Sequence, residues 1–203
     1  MRIKHHKQIV GMLYNEWDLG KRSSKAKRKT CAWIYWFEIL NKAEKIIIEK
    51  RDNNVVGVCG YSKWNSKKHL IRKKYYGILK DILINSPLIK NKQAIHEYNT
   101  SYSYLPKELE GYFDGEVSIL IVDKSYRNKN IGKKLLTKIF ELAYEDNMKN
   151  IQILSDESCN FKFYEKIGCK KVYENLIVGG EPNKCSDNSF EKGFIYEKLL
   201  EEI

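Results

Sequence analysis

The stretch from Glu116 to Leu200 constrains this chain most, because it alternates strand and helix signals without a break. "EVSILIVD" (116–123) is a nearly continuous apolar strand, and "NIGKKLLTKIFELAYEDN" (130–147) places Ile131, Leu135, Ile139 and Leu142 at helical spacing. "IQILS" reads as another strand, "CNFKFYEKIG" as a short helix stopped by Gly168, "KKVYENLIV" as a strand and "KGFIYEKLL" as the last one. Strand, basic turn, helix, strand, helix, strand is a mixed α/β order. It sets the turn at 127–132 between a strand end and a helix start, where backbone N–H groups and the helix dipole point at whatever sits in the crevice.

Upstream, a short opening strand is expected near Arg2 to His5, then a helix with Ile9, Val10, Leu13 and Trp17 on one stripe. A basic loop, "GKRSSKAKRK", leads to a second helix whose apolar repeat is Trp33, Trp36, Phe37 and Leu40. "EKIIIEKRDNNVVGVCGYSK" gives two β-branched runs about "RDNN", whose Asp and Asn residues tolerate a tight turn, so a hairpin is expected. Residues 63–115 then depart from this order. Leu70, Ile71, Tyr75, Ile78, Leu79 and Ile82 keep helical spacing, Pro87 interrupts it, and "NTSYSYLPKELEGYF" adds a tyrosine-rich connection with one more short helix. Nothing there resembles a disordered linker, so the segment reads as an insertion within one domain spanning 1–203. A chain of this length buries roughly 70% of its unfolded surface.

With 42% hydrophobic and 31% charged residues, and apolar runs as short as "ILIV", the chain reads as a protein that does not span a bilayer. "MRIKHHKQIV" lacks an apolar signal core, and five cysteines at 31, 59, 159, 169 and 185 form no CxxC pair. A cytoplasmic, reduced protein is expected. The net charge of +11 suits nucleic acid, an anionic membrane or a polyanionic cofactor, although most of the excess is scattered lysine. "KRSSKAKRK" followed by aromatics is the best case for nucleic-acid binding. No metal site is expected: adjacent His5 and His6 on a strand would face opposite ways, and "HEYNT" at His96 lacks the second histidine of HExxH. Cys159 has no histidine near it in sequence to make it a nucleophile.

The turn decides between phosphate sites. A P-loop needs glycine at 127 and a hydroxyl at 134, where the chain has Arg127 and Lys134, and GxGxxG is absent. Arg127, Asn128, Lys129, Asn130, Ile131 and Gly132 resemble the arginine-or-glutamine-x-x-glycine-x-glycine turn of the GNAT superfamily of acetyl-CoA-dependent N-acyltransferases, with Asn130 in place of one glycine. Asparagine is the residue that next most readily enters the left-handed region, so a weakened but intact cradle is expected. "EVSILIVDKSYR" is similar to the strand that carries the family's catalytic glutamate, at Glu116, and "NFKFYEKIGCKKV" to its tyrosine-bearing segment, at Tyr164. The likeness is specific over about 113–174 and does not cover Lys63 to Tyr112.

The resemblance implies a GNAT fold of mixed α/β (α+β) class: a central mixed, mostly antiparallel sheet of about six to seven strands flanked by helices, with a helical insertion between strands 3 and 4. It implies transfer of acetyl from acetyl-CoA to a primary amine, small-molecule or peptide, by direct attack in a ternary complex. The pyrophosphate would rest on the N–H groups of Asn128 to Lys133, helped by the Arg127 side chain and the helix dipole, and the pantetheine arm would pair along Leu120, Ile121 and Val122 where a bulge splays this strand from the next, with Asn160 at the helix start as a simple N-cap or one that also touches the arm. Glu116 is the base, directly or through water, because residues 116, 118, 120 and 122 are expected to share one strand face, the face that follows the arm, with Asp114 and Glu157 behind it. Tyr164 is the acid for the departing thiolate. Two readings stand beside this one: a degenerate member that binds CoA as a sensor, and a basic nucleic-acid-binding protein. The acceptor is not readable; Tyr98, Tyr102, Tyr104 and Tyr112 are expected around its pocket, and a homodimer stays open.

Overall fold

The computed structural model describes residues 1–16, 24–87, 89, 106–157, 159–178 and 190–201. Two helices, α1 (Ile3–Glu16) and α2 (Lys25–Lys42), precede a hairpin of β1 (Lys45–Arg51) and β2 (Asn54–Lys63). Helix α3 (Leu70–Ile84) and a 3-10 turn at Lys107–Leu109 follow. The remainder is β3 (Gly115–Val122), α4 (Ile131–Glu145), β4 (Asn150–Asp156), α5 (Lys162–Lys166), β5 (Lys170–Val178) and β6 (Phe190–Leu199). These six strands form one sheet in the order β1-β2-β3-β4-β6-β5, antiparallel everywhere except between β3 and β4.

The hairpin turn has Asp52 and Asn53 both at positive φ, 47° and 61°, the geometry a tight two-residue turn demands and that these residues tolerate. The chain start differs from expectation. Arg2 to His5 form no strand, because the stripe of α1 runs back one turn to His6, whose Nδ1 accepts from Trp36 Nε1 at 2.9 Å. His5 and His6 therefore stand on a helix, and burial holds the His6 pKa below its ordinary value. Losing that strand moves the insertion to between β2 and β3. Trp17, residues 20–23 of the basic loop, His96, Tyr98, Tyr102, Tyr104 and Cys185 lie outside the described residues.

Each sheet face has its own core. On one, α1 and α2 bring Ile9, Leu13, Trp36 and Leu40 against Val55, Val58, Ile119 and Ile121. On the other, α4 packs Ile131, Leu135, Leu136 and Ile139 onto Val56, Cys59, Tyr61, Ile151 and Ile153, with Tyr164 of α5 at the margin. Helix α3 sits on α2 through a stripe the apolar periodicity did not indicate. Lys73 pairs with Glu44 at 2.9 Å, Lys80 with Glu38 at 2.9 Å, and the Tyr76 ring lies 6.0 Å from Phe37. Gly77 meets Asn41 so closely that a Cβ there would stand 3.1 Å from its Oδ1. Leu70, Ile71, Tyr75, Ile78 and Ile82, which carry the helical spacing, are turned outward and are 51–89% exposed.

Candidate active site

The site grows from an irregularity in β3. Its antiparallel register with β2 runs Cys59↔Leu120 and Gly60↔Ile119, then skips to Tyr61↔Val117 and Ser62↔Glu116, leaving Ser118 as an extra residue. Side chains alternate along a strand, so one inserted residue exchanges the faces on either side of it. Leu120 and Val122 accordingly join the α4-side core together with Val117, while Ile119 and Ile121 join the other. Glu116 falls on the α2 face, where Lys42 and Glu38 act on its charge. Residues 116, 118, 120 and 122 thus do not share a face, as regular alternation would require; the bulge at Ser118 is the reason.

Beyond Glu116 the sheet opens. The parallel pairing of β3 with β4 consists of Glu116↔Gln152, so among the described residues the edge of β3 from Val117 to Val122 pairs with no strand. Gly115 sets this point: a Cβ there would stand 2.0 Å from the Ser62 carbonyl oxygen, so only glycine permits β3 to start this close to β2.

At the far end of that edge the chain enters α4 through two left-handed residues. Asn128 has φ 61°, and Asn130, the helix N-cap, has φ 58° and ψ 11°. Asparagine therefore occupies the conformation for which glycine was expected. Lys134 N–H makes the first helical bond, to Asn130 O at 3.0 Å, and among the described residues nothing accepts from the N–H groups of Asn128, Lys129, Asn130, Ile131, Gly132 or Lys133. Six unsatisfied donors at a helix N-terminus make an anion site. A shallow groove of about 420 Å³ continues from Asn130 along Lys133, Lys134, Thr137 and Lys138.

The side chain of Arg127 is committed elsewhere. Its Nε donates to Val122 O at 3.1 Å and its Nη2 to Glu16 Oε2 at the end of α1. Lys129 folds back, with Nζ 3.3 Å from Ser125 O and 4.9 Å above the Tyr126 ring. Gly132 faces the space between the turn and α5: a Cβ there would lie 3.6 Å from Phe163 and 3.7 Å from Val122.

Tyr164 packs from α5 with its ring 5.4 Å from Tyr196 and 5.5 Å from Phe163, and burial pushes its phenol pKa well up. It stays protonated at neutral pH. Glu116 lies across the sheet from it; burial raises its carboxyl pKa, against the lowering pull of Lys42 and of Gln152 Nε2 at 3.4 Å. The structure thus does not gather the two acid–base candidates on one face but sets them on opposite faces of the sheet.

The secondary bases are in structural use. Asp114 Oδ2 accepts from Lys149 N at 2.6 Å and Glu157 Oε2 from Lys192 N at 3.0 Å. Asn160 is no side-chain N-cap: the cap position is Phe161, and Asn160 contributes its carbonyl oxygen to Phe163 N at 3.0 Å. Cys159 is exposed and donates its N–H to Asp156 O at 3.2 Å. Among the described residues no cluster of three histidine, cysteine or acidic side chains is arranged to hold a metal, and no helix is long and apolar enough to cross a membrane.

Gln152 is the participant that sequence reasoning overlooked. It is 2% exposed, and its signal was there: a lone amide between Ile151 and Ile153 in a strand otherwise apolar.

No curated protein sequence is significantly similar to the chain. The fold is shared with solved structures of low sequence identity. The smu.2055 protein of Streptococcus mutans UA159 superposes with a TM-score of 0.58 at 15% identity, over 99% of this chain and 97% of that one. An N-acetyltransferase of Staphylococcus aureus Mu50 gives 0.56 at 14% identity, over 99% and 96%. An aminoglycoside 6'-N-acetyltransferase solved with coenzyme A gives 0.55 at 12% identity, over 98% and 92%. Residues 10–169 match the model of the acetyltransferase (GNAT) family, and with the bulged strand, the open edge and the donor-lined turn in place, the chain belongs to that family.

Proposed function

We propose that this protein transfers an acetyl group from acetyl-CoA to a primary amine by direct attack within a ternary complex. The observation that carries this reading is the run of six unsatisfied N–H groups, Asn128 to Lys133, at the mouth of an open strand edge. A pyrophosphate matches the first in charge and acceptor count, and an amide-bearing arm matches the second as an added strand. One structure of the same fold was solved with coenzyme A bound.

The residues divide the work by sheet face. The turn holds the pyrophosphate, with Arg127 setting its shape by bracing Val122 and Glu16 and leaving the N–H groups to bind. The edge at Leu120 to Val122 orients the arm so that the thioester enters the gap beside Glu116. A free N–H near Leu120 would meet the thioester oxygen, an interaction worth about 2.7 to 4 kcal/mol in the transition state. The acceptor comes from the α2 face. A lysine-like amine is neutral in roughly one molecule in a few thousand at pH 7, so Glu116, directly or through water, takes its proton. The C–N bond forms, the C–S bond breaks, and Tyr164 gives the departing sulfur a proton from the α4 side.

Titration of the protein with acetyl-CoA, followed by measurement of CoA-thiol release over a panel of amines, tests the proposal. Binding with amine-dependent release is expected. Binding without release from any amine would favour the sensor reading, and a nucleic-acid shift that acetyl-CoA fails to alter would favour the third.

A further inference from the structure

Cross-strand neighbours share a sheet face, and the register places Ser62, Glu116, Gln152, Glu197 and Lys170 in one row across β2, β3, β4, β6 and β5. The middle of the row is a line of acceptors short of donors. Glu197 is 7% exposed, and its Oε1 takes a hydrogen bond from the hydroxyl of half-exposed Tyr112 at 2.6 Å. Gln152 spends its Nε2 on Glu116, and its Oε1, wholly buried, has no donor. Neither Glu116 nor Glu197 has a lysine or arginine ion pair among the described residues.

That is anomalous in a chain with 37 lysines and arginines. Two other buried acids are supplied with cations: Glu44 by Lys73 at 2.9 Å, and Asp146 by Lys68 at 3.0 Å and Lys45 at 3.7 Å. A carboxylate held away from water without a cation in contact is costly, and a basic chain has lysines to spare for it. A counter-charge brought by the substrate resolves the anomaly.

We infer that the acceptor is a polycation with at least two amino groups about 10 Å apart, the distance of two strand spacings between Glu116 and Glu197. This rests on the acetyltransferase reading and names its substrate class. One amine meets Glu116 and is acetylated. The second stays protonated, held by the Glu197 carboxylate and the Gln152 Oε1, with Tyr112 as the group that gives way or adds a contact at the entrance. Acetylation removes the charge of the first amine, so the product keeps one fewer cation for the row and leaves more readily.

The test uses α,ω-diaminoalkanes of increasing length, the matching monoamines, and the full-length protein saturated with CoA or acetyl-CoA. In calorimetry with CoA present, a diamine that spans the row is expected to bind at least about tenfold more tightly than its monoamine, and Glu197→Gln to remove that advantage. In turnover, the same variant raises KM for the long diamine by a similar factor with kcat within about twofold. Equal affinity for mono- and diamines, or an advantage that survives Glu197→Gln, overturns the inference. Turnover of monoamines without diamine preference would sink it while leaving the acetyltransferase reading intact. Diamine-selective binding with no turnover of any amine would do the reverse, supporting the polycation site and sinking the enzyme.

Discussion

Gln152 Nε2 stands 3.4 Å from Glu116 Oε2 at the one register point where β3 and β4 meet. The residue that marks the opening of the sheet is thereby also the residue that steadies the charged form of the proposed base. Its hydrogen bond favours the carboxylate, and burial opposes it.

A carboxylate acts as a base only above its pKa, and burial moves that of Glu116 above the ordinary glutamate value of about 4.3. The rate should therefore rise with pH through an acid limb displaced upward from that value. Gln152→Leu removes the favourable bond and should shift the limb higher still. A kcat/KM profile for both proteins checks this; an unmoved limb would mean that Gln152 is only packing.

Glu116→Gln keeps the shape and removes the proposed base. Turnover should fall about a hundredfold or more, and the acid limb should vanish, while acetyl-CoA affinity holds. Retention of the limb would assign it to another group.

Tyr164→Phe keeps the ring against Tyr196 and Phe163 and removes the proton. We expect kcat to drop about a hundredfold with the dissociation constant of acetyl-CoA changed by less than about threefold. Normal turnover would return Tyr164 to the core as a packing residue.

Asn130 already occupies the left-handed region, so Asn130→Gly should alter CoA affinity by no more than about threefold. A β-branched residue pays about 1–2 kcal/mol in that region, and Asn130→Val should loosen the turn and weaken CoA binding about tenfold. Fluorescence or calorimetric titration decides; equal affinities for the valine and glycine variants would show that the turn does not hold the phosphates.

A side chain at Gly132 meets Phe163 and Val122 at ordinary contact distance, and an acidic residue in the first turn suits the helix dipole. Gly132→Asp should thus fold with a Tm near that of the parent protein yet lose acetyl-CoA binding, because its carboxylate projects into the anion site. The measurement is Tm together with a binding titration, and unaffected binding would be falsifying.

Much of the site was legible locally. The hairpin at "RDNN" and the entry turn at Asn130 are conformations that Asp and Asn adopt from their own short polar side chains, so composition at two or three positions foretells them. Helix α4 follows from the spacing of Ile131, Leu135 and Ile139, all of which are buried. Where local signals erred, tertiary contacts had overruled them. Residues 3–5 join α1 because His6 has Trp36 to receive, and α3 turns its apolar residues outward because Lys73, Tyr76 and Lys80 find Glu44, Phe37 and Glu38 on the helix beneath or its exit.

By itself the sequence determined most of the helices and strands from the hairpin onward, where the donor-lined turn lies, and which residues are chemically able to act as base and acid. Only the tertiary structure decided on which sheet face each stands. One extra residue, Ser118, inverts the alternation of β3 and sends Glu116 to the face opposite Leu120 and Val122. A bulge is set by pairing with β2, distant in sequence, and not by any preference of serine, so no reading of "EVSILIV" alone could place it.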